Sequence, residues 1–288
     1  MIKKMSNILL TGASGFIGSN ILNEIKFNNQ IFIIQRYNTK KKIKSSKNIK
    51  IITFKKYSSL SKKLKKIKVD VVINCATYYK KKHKSEDIYK FIESNILLGN
   101  IILENIGQLE AKKFINFSTT WENIFNNGFH PKNLYAAYKN GFNSIINYYK
   151  HKFPKIKFIN LYIVDTFGKN DNRGKLLDTL RKNFIDNKIT KITSKRLYLN
   201  LINVVDICDA IKVILNHNIS TGQYILKNYT YFNIYKLIKF INKNSKKRLK
   251  IKWESNKYIK DKIIKYKKLD NWKPNKSNLS YIKKYVLN

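Results

Sequence analysis

The stretch that most constrains this chain is Thr11-Gly12-Ala13-Ser14-Gly15-Phe16-Ile17-Gly18, a glycine-punctuated loop between an apolar run at 7–10 and a helical pattern over 16–27. With 10 Gly in 288 residues, three at this spacing would arise only about 0.01 times by chance. A strand, a tight glycine turn and a helix N-terminus make a cradle for a pyrophosphate. The first glycine forms the turn, the second lets backbone approach the phosphates, and the third lets the helix pack against the strand. Gly12, Gly15 and Gly18 are therefore candidates to bind a dinucleotide. Ser14, Phe16 and Ile17 of the same loop, and Ala76 at the end of the fourth strand, are candidates beside them.

Downstream, compact apolar runs alternate with helical patterns. Strands are expected at 31–35, 49–54, 69–76, 113–118 and 156–164, with helices over 88–106 and from near Pro131 to about Lys150. Short strands alternating with helices predict an α/β fold of Rossmann type, a doubly wound parallel sheet covered on both faces. The alternation breaks after 165. A helix is expected at 176–187 and a strand and helix at 199–217, and the last seventy residues show no regular βαβ pattern. The expected division is a dinucleotide-binding domain at 1–165, rejoined by about 199–227, and a smaller substrate-binding domain from 166–198 and 228–288.

Composition limits the function classes. The net charge is +42, and a basic surface gains affinity for phosphate by counterion release. However, 54 of the 59 basic residues are Lys and only five are Arg, spread along the whole chain. Specific nucleic-acid readers lean on the Arg fork, so the expectation is no specific nucleic-acid partner. The charge would still steer anionic ligands. Cys75 and Cys208 form no metal or disulfide pattern, and the four His lack ligand spacing, so no metal is expected. No apolar run is long enough for a membrane span or a signal peptide. A cytoplasmic protein is expected.

Tyr135 and Lys139 lie four apart, which puts both on one helix face. Spacing alone says little, because 19 Tyr and 54 Lys give about 3.6 such pairs by chance. Six occur: Tyr37/Lys41, Tyr78/Lys82, Tyr135/Lys139, Tyr148/Lys152, Tyr235/Lys239 and Tyr258/Lys262. Open α/β sheets bind ligands at the C-terminal ends of their strands. Of the six pairs, only Tyr135/Lys139 opens a helix directly after such an end, at Ser118-Thr119-Thr120. A Lys ammonium near a phenol lowers its pKa from about 10, making Tyr135 a proton donor or acceptor. Thr120 is the candidate for holding a substrate oxygen, with Ser118 and Thr119 as alternatives. At the end of strand two, an acid would select NAD and a base would accommodate the extra phosphate of NADP. Gln35-Arg36 followed by Lys40, Lys41 and Lys42 favours NADP, with NAD the alternative.

Taken together, "TGASGFIG", "INCATYY", "IESNILLGNIILE", "FINFSTTW", "NLYAAYK", "DTFGKNDNRGKLL" and the "WKP" turn at 272–274 resemble the extended short-chain dehydrogenases, the nucleotide-sugar epimerase/dehydratase family. Within it the likeness is to reductases of the CDP-abequose and CDP-paratose synthase type. The resemblance implies a small C-terminal domain over an active-site cleft, a nucleotide diphosphate-sugar substrate and, as is usual in the family, a homodimer. The family's hydroxyl, Tyr and Lys roles fall on Thr120, Tyr135 and Lys139, and Lys139 would also bond the nicotinamide ribose.

Dehydratases of the family carry Asp-Glu directly after the Thr. Here those positions are Trp121 and Glu122, which argues against dehydration. Asp165 stands where many members have Asn, Lys169 replaces a Pro, and 253–262 lacks the usual Arg. The expected function is NADPH-dependent reduction of the 4-keto group of a nucleotide-linked hexose in surface polysaccharide synthesis. A 4-epimerase on the same site is the alternative, and a non-catalytic dinucleotide-binding sensor is the alternative from another class.

Overall fold

The structure is a computed structural model and describes residues 5–80, 82–123, 130–254 and 266–288. In chain order the first elements are β1 (Ser6–Thr11), α1 (Phe16–Ile25), β2 (Asn29–Arg36), β3 (Ile49–Phe54), α2 (Tyr57–Leu64) and β4 (Val71–Asn74). Next come α3 (Ile88–Ile92), a π-helical stretch at Glu93–Leu97, α4 (Leu98–Glu104), β5 (Lys113–Thr119), α5 (Leu134–Lys152) and β6 (Lys157–Ile163). Then follow β7 (Asp165–Phe167), α6 (Leu176–Ile185), β8 (Ile189–Ile192), β9 (Tyr198–Leu199), β10 (Leu201–Asn203) and α7 (Val204–Asn216). The chain closes with β11 (Gly222–Leu226), β12 (Phe232–Asn233), α8 (Ile234–Lys243), β13 (Lys250–Trp253), β14 (Lys267–Lys268) and α9 (Leu279–Leu287).

The chain divides into two compact units. The larger comprises Met1–Tyr162, Ile214–Ile225 and Ile263–Lys268. Its sheet runs in the order β14-β11-β6-β5-β4-β1-β2-β3, with parallel pairing of β1 to both β2 and β4, β2 to β3 and β4 to β5. The order reverses at β1, the switch point of a doubly wound sheet. The expected Rossmann-type architecture is thus present. The strands are buried because helices cover them: Leu9, Val72 and Phe114 on the sheet pack with Leu60, Leu64, Ile102, Phe142 and Ile146 from the helices.

The smaller unit comprises Ile163–Val213, Leu226–Lys262 and Leu269–Asn288. Its core joins Phe167, Leu180, Ile192, Leu201, Ile234, Ile241, Ile282 and Val286. Short pairings of β7 with β10, β8 with β13 and β9 with β12 frame it. The buried carboxylate of Asp206 gathers the turn at 272–277. Its Oδ1 accepts from Asn275 N at 3.0 Å and Lys276 N at 2.9 Å, and its Oδ2 accepts from Ser277 Oγ. Trp272 Nε1 donates to Asp206 O at 2.8 Å.

The structure corrects three expectations. The strand expected at 69–76 contracts to Val71–Asn74. The helix expected at 88–106 is interrupted by the π-helical stretch. The last seventy residues are more regular than their sequence suggested: Ile234, Leu237, Ile238 and Ile241 form the buried stripe of α8, and α9 buries Ile282 and Val286. Dense lysines mask these apolar stripes. For the same reason α2, with Leu60 and Leu64 one turn apart, has no counterpart among the expected elements.

Candidate active site

The glycine loop leaves β1 at the switch point. Gly12 has φ +66°, and a Cβ there would lie 2.6 Å from Ala76 N and 2.7 Å from Cys75 backbone, so only glycine fits. A Cβ on Gly18 would come within 2.2 Å of Gly12 O, which is why α1 can approach β1 so closely. Gly15 is the N-cap of α1 and offers no side chain to the first turn, which opens the helix N-terminus to an anion. Gly12, Ser14, Gly15, Phe16, Ile17 and Gly18 thus form one continuous turn and helix start. Ala76 is drawn to it, since its N–H donates to Thr11 Oγ1 at 3.0 Å. A backbone cradle with the Cβ atoms missing where phosphates must approach fits a dinucleotide.

Arg36 ends β2, where the sequence placed it, and is half-buried. Its guanidinium pairs with Glu93 at 3.2 Å and donates to Ser94 Oγ at 2.5 Å, both in the π-helical stretch. The ammonium groups of Lys42 and Lys55 lie 5.5 and 4.7 Å from the ring of the exposed Tyr37, the next residue.

The π-helical stretch also positions the segment after β4. Asn95, buried there, accepts from Tyr78 N and Thr77 Oγ1, each at 2.8 Å, and donates to Tyr78 O at 3.1 Å. This clamp fixes Tyr79, whose ring meets Tyr135 edge-on at 5.2 Å and Trp121 at 6.2 Å. Tyr135 and the turn that carries Thr120 therefore converge on one aromatic ring.

At the end of β5 the three hydroxyls have different surroundings. Ser118 Oγ donates to Asn143 Oδ1 at 3.1 Å and Asn160 Oδ1 at 3.0 Å. Thr119 caps the 3-10 turn Thr120–Glu122, accepting from Trp121 N at 3.3 Å. Thr120 Oγ1 has no hydrogen-bond partner among the described residues. Opposite, Asn133 caps α5 by accepting from Ala136 N at 3.0 Å, which sets Tyr135 in the first turn and Lys139 one turn on. Lys139 is 2% exposed and donates to Phe117 O at 2.8 Å. Burial lowers its pKa to about 8, against the upward pull of Glu122 and Cys75.

Sequence reasoning missed a polar row beneath this site. Asn74 of β4 is in register with Asn116 of β5, and Asn160 lies on β6. Thr11 Oγ1 donates to Asn74 Oδ1 at 2.8 Å, Asn74 Nδ2 to Asn116 Oδ1 at 3.0 Å, and Asn116 Nδ2 to Asn160 Oδ1 at 2.8 Å. Asn160 Nδ2 then donates to Asn143 Oδ1 at 2.8 Å, and Asn143 Nδ2 to Glu122 Oε2 at 2.5 Å. Glu122, 1% exposed, also accepts from Thr119 N through Oε1 at 3.0 Å. Burial raises its pKa to about 7. The available signal was the dipeptide Ile-Asn in three successive strands of the sheet, at 73–74, 115–116 and 159–160.

The other Tyr/Lys pairs have other surroundings. Tyr78 donates to Asp87 at 2.7 Å, Tyr37 and Tyr148 are exposed, and Tyr235 sits on α8 under Lys239. Tyr258 and Lys262, with the rest of 255–265, lie outside the described residues. In the smaller unit, Asp165 pairs with Lys175 at 3.4 Å. Arg173 there grips Asp171 by two bonds of 2.7 Å and Thr166 Oγ1 at 2.7 Å. Among the described residues no helix is long and apolar enough to cross a membrane, and no three His, Cys, Asp or Glu side chains cluster to hold a metal ion.

The chain is 31% identical to a CDP-abequose synthase of Yersinia pseudotuberculosis over 219 residues, 75% of each chain. It is 24% identical to a CDP-abequose synthase of Salmonella muenchen, covering 78% of this chain and 75% of that one. Among solved structures, a UDP-N-acetylglucosamine 4-epimerase from Methanobrevibacter ruminantium shares the fold with a TM-score of 0.80 at 19% identity, covering 99% and 98% of the two chains. With residues 8–226 matching its pattern, the chain belongs to the NAD dependent epimerase/dehydratase family, and it is an NAD(P)-dependent enzyme of the extended short-chain dehydrogenase type.

Proposed function

We propose that this enzyme reduces the 4-keto group of a nucleotide-linked deoxyhexose, with NADPH as the preferred donor. The observation that carries this reading is the 31% identity to a CDP-abequose synthase in a chain with Tyr135 and Lys139 at the head of α5. Bound NADPH would supply the hydride. The Tyr135 phenol would protonate the C4 oxygen, and the Lys139 ammonium would stabilise the phenolate left behind. The Thr120 hydroxyl, with no partner among the described residues, would hold the same oxygen and align the carbon.

Dehydration is disfavoured on two grounds. Trp121 replaces the Asp acid, and Glu122 has both oxygens engaged by Thr119 N and Asn143 in an enclosed site. The cations at the end of β2 favour NADPH: Arg36 keeps a donor-rich guanidinium there, and Lys42 and Lys55 flank Tyr37. Substrate binding is assigned to the smaller unit, where Lys175 balances the charge of Asp165. A phosphate neighbour at that position would meet a pair rather than a bare anion.

The test is to mix the protein with NADPH or NADH and a panel of CDP-, dTDP-, GDP- and UDP-4-keto-sugars. Net loss of reduced cofactor, faster with NADPH, is the expected result. Isomerised sugar without net loss would identify a 4-epimerase instead. Tyr135→Phe is expected to abolish turnover while leaving cofactor binding largely intact, and full activity in that variant would overturn the site.

A further inference from the structure

Glu122 is a buried acid that the proposed chemistry does not use, although it lies under the catalytic helix. Its surroundings are directional. Ala76 N–H can only donate, and it begins a relay in which Thr11, Asn74, Asn116, Asn160 and Asn143 each accept from the residue before and donate to the next. The last donor, Asn143 Nδ2, ends on Glu122 Oε2. The amide dipoles thus align head to tail with their positive ends toward the carboxylate. Such chains polarise one another and favour a negative charge at the accepting end.

Asn143 and Lys139 stand one turn apart on the same face of α5. Lys139 Nζ is bound to Phe117 O, and Glu122 Oε1 to Thr119 N, two residues along the same strand. The ammonium and the carboxylate are thereby both anchored to the backbone near the end of β5, both enclosed, and Glu122 acts electrostatically on Lys139. Among the described residues, Tyr162 of β6, which accepts from Asn143 Nδ2 at 3.0 Å, and Tyr266, stacked on it at 3.9 Å, also face Glu122. Cys75 faces Lys139.

We propose that Glu122 is a positioning residue, the fixed counter-charge that keeps the enclosed Lys139 protonated, and that the asparagine relay holds it ionised. A buried ammonium with no anion beside it would lose its proton, and Tyr135 would lose the charge that makes it a usable acid. Glu122 does not touch the substrate in this role. The inference rests on the assignment of Tyr135 and Lys139 as the catalytic pair.

The experiment compares pH profiles of turnover for the wild type and Glu122→Gln, with the sugar that the panel identifies. Turnover requires Lys139 charged, so it falls as pH rises through the Lys139 pKa. Without the Glu122 charge that pKa drops, and the falling limb is expected to move to lower pH by about one unit. Glu122→Asp, which keeps the charge, should leave the limb close to its wild-type position. NADPH fluorescence titrations across the same pH range give a readout that needs no sugar, with the Gln variant losing affinity at the lower pH. If Glu122→Gln does not fold, Asn143→Ser tests the same point, since a weakened carboxylate moves the limb in the same direction.

Coincident limbs in wild type and variant overturn the proposal, and so does loss of turnover at every pH, which would mark Glu122 as a group that acts on the substrate. Tyr135→Phe and Lys139→Met separate the two readings. Activity in either overturns the catalytic pair itself, whereas inactivity in both with an unmoved Glu122→Gln limb overturns the positioning role alone.

Discussion

A methyl group at Gly18 would test the glycine loop most directly, because the atom it meets is the backbone oxygen of Gly12 at 2.2 Å, which has no rotamer with which to move aside. Gly18→Ala should push α1 from β1 and spoil the amide cradle, raising the cofactor Kd by about tenfold or more in a fluorescence titration. The glycines were readable from sequence because each enforces a backbone geometry that no other residue supplies. The Tyr135/Lys139 pair was readable from order along the chain, one loop past a strand end. The enclosure of Lys139 was not, since nothing in the letters tells a buried Lys from the 53 others. Nor was the division of labour among Ser118, Thr119 and Thr120. Their hydroxyls are chemically alike, and only the backbone turn that Thr119 caps and the asparagines that hold Ser118 distinguish them.

Elements with an apolar run covered on both faces were legible because burial demands that run. The sheet expected from the first half is there, with β2, β3 and β5 within two residues of their expected ends. Irregularity was not legible: the expected helix at 88–106 has an apolar pattern compatible with an unbroken α-helix, and the π-helical stretch at Glu93–Leu97 leaves no periodic mark. Its effect is to bring Asn95 under the backbone of Tyr78. Asn95→Ala would leave Tyr78 N, Tyr78 O and Thr77 Oγ1 without that partner, at a cost of about 1–3 kcal/mol. A lower melting temperature with an unchanged far-UV spectrum is expected, along with weaker cofactor binding as Tyr79 loses its footing. An unaltered melting temperature and cofactor Kd would show that the clamp contributes nothing.

At the scale of the whole molecule the net charge of +42 acts on encounter rather than on fold. A substrate carrying a diphosphate is drawn in by a field that salt screens. For such a substrate kcat/KM should fall several-fold, roughly three to ten, from low to physiological ionic strength, with kcat little changed. Equal values at both salts would show that steering is absent. The same composition makes acids scarce, at 17 in 288 residues. Among the described residues five of them, Asp87, Glu122, Asp171, Asp178 and Asp206, are no more than 3% exposed. In a saturation screen for function these five positions should stand out as intolerant against a background of acids that accept replacement, so the rarest charge in the chain also traces where its architecture has least latitude.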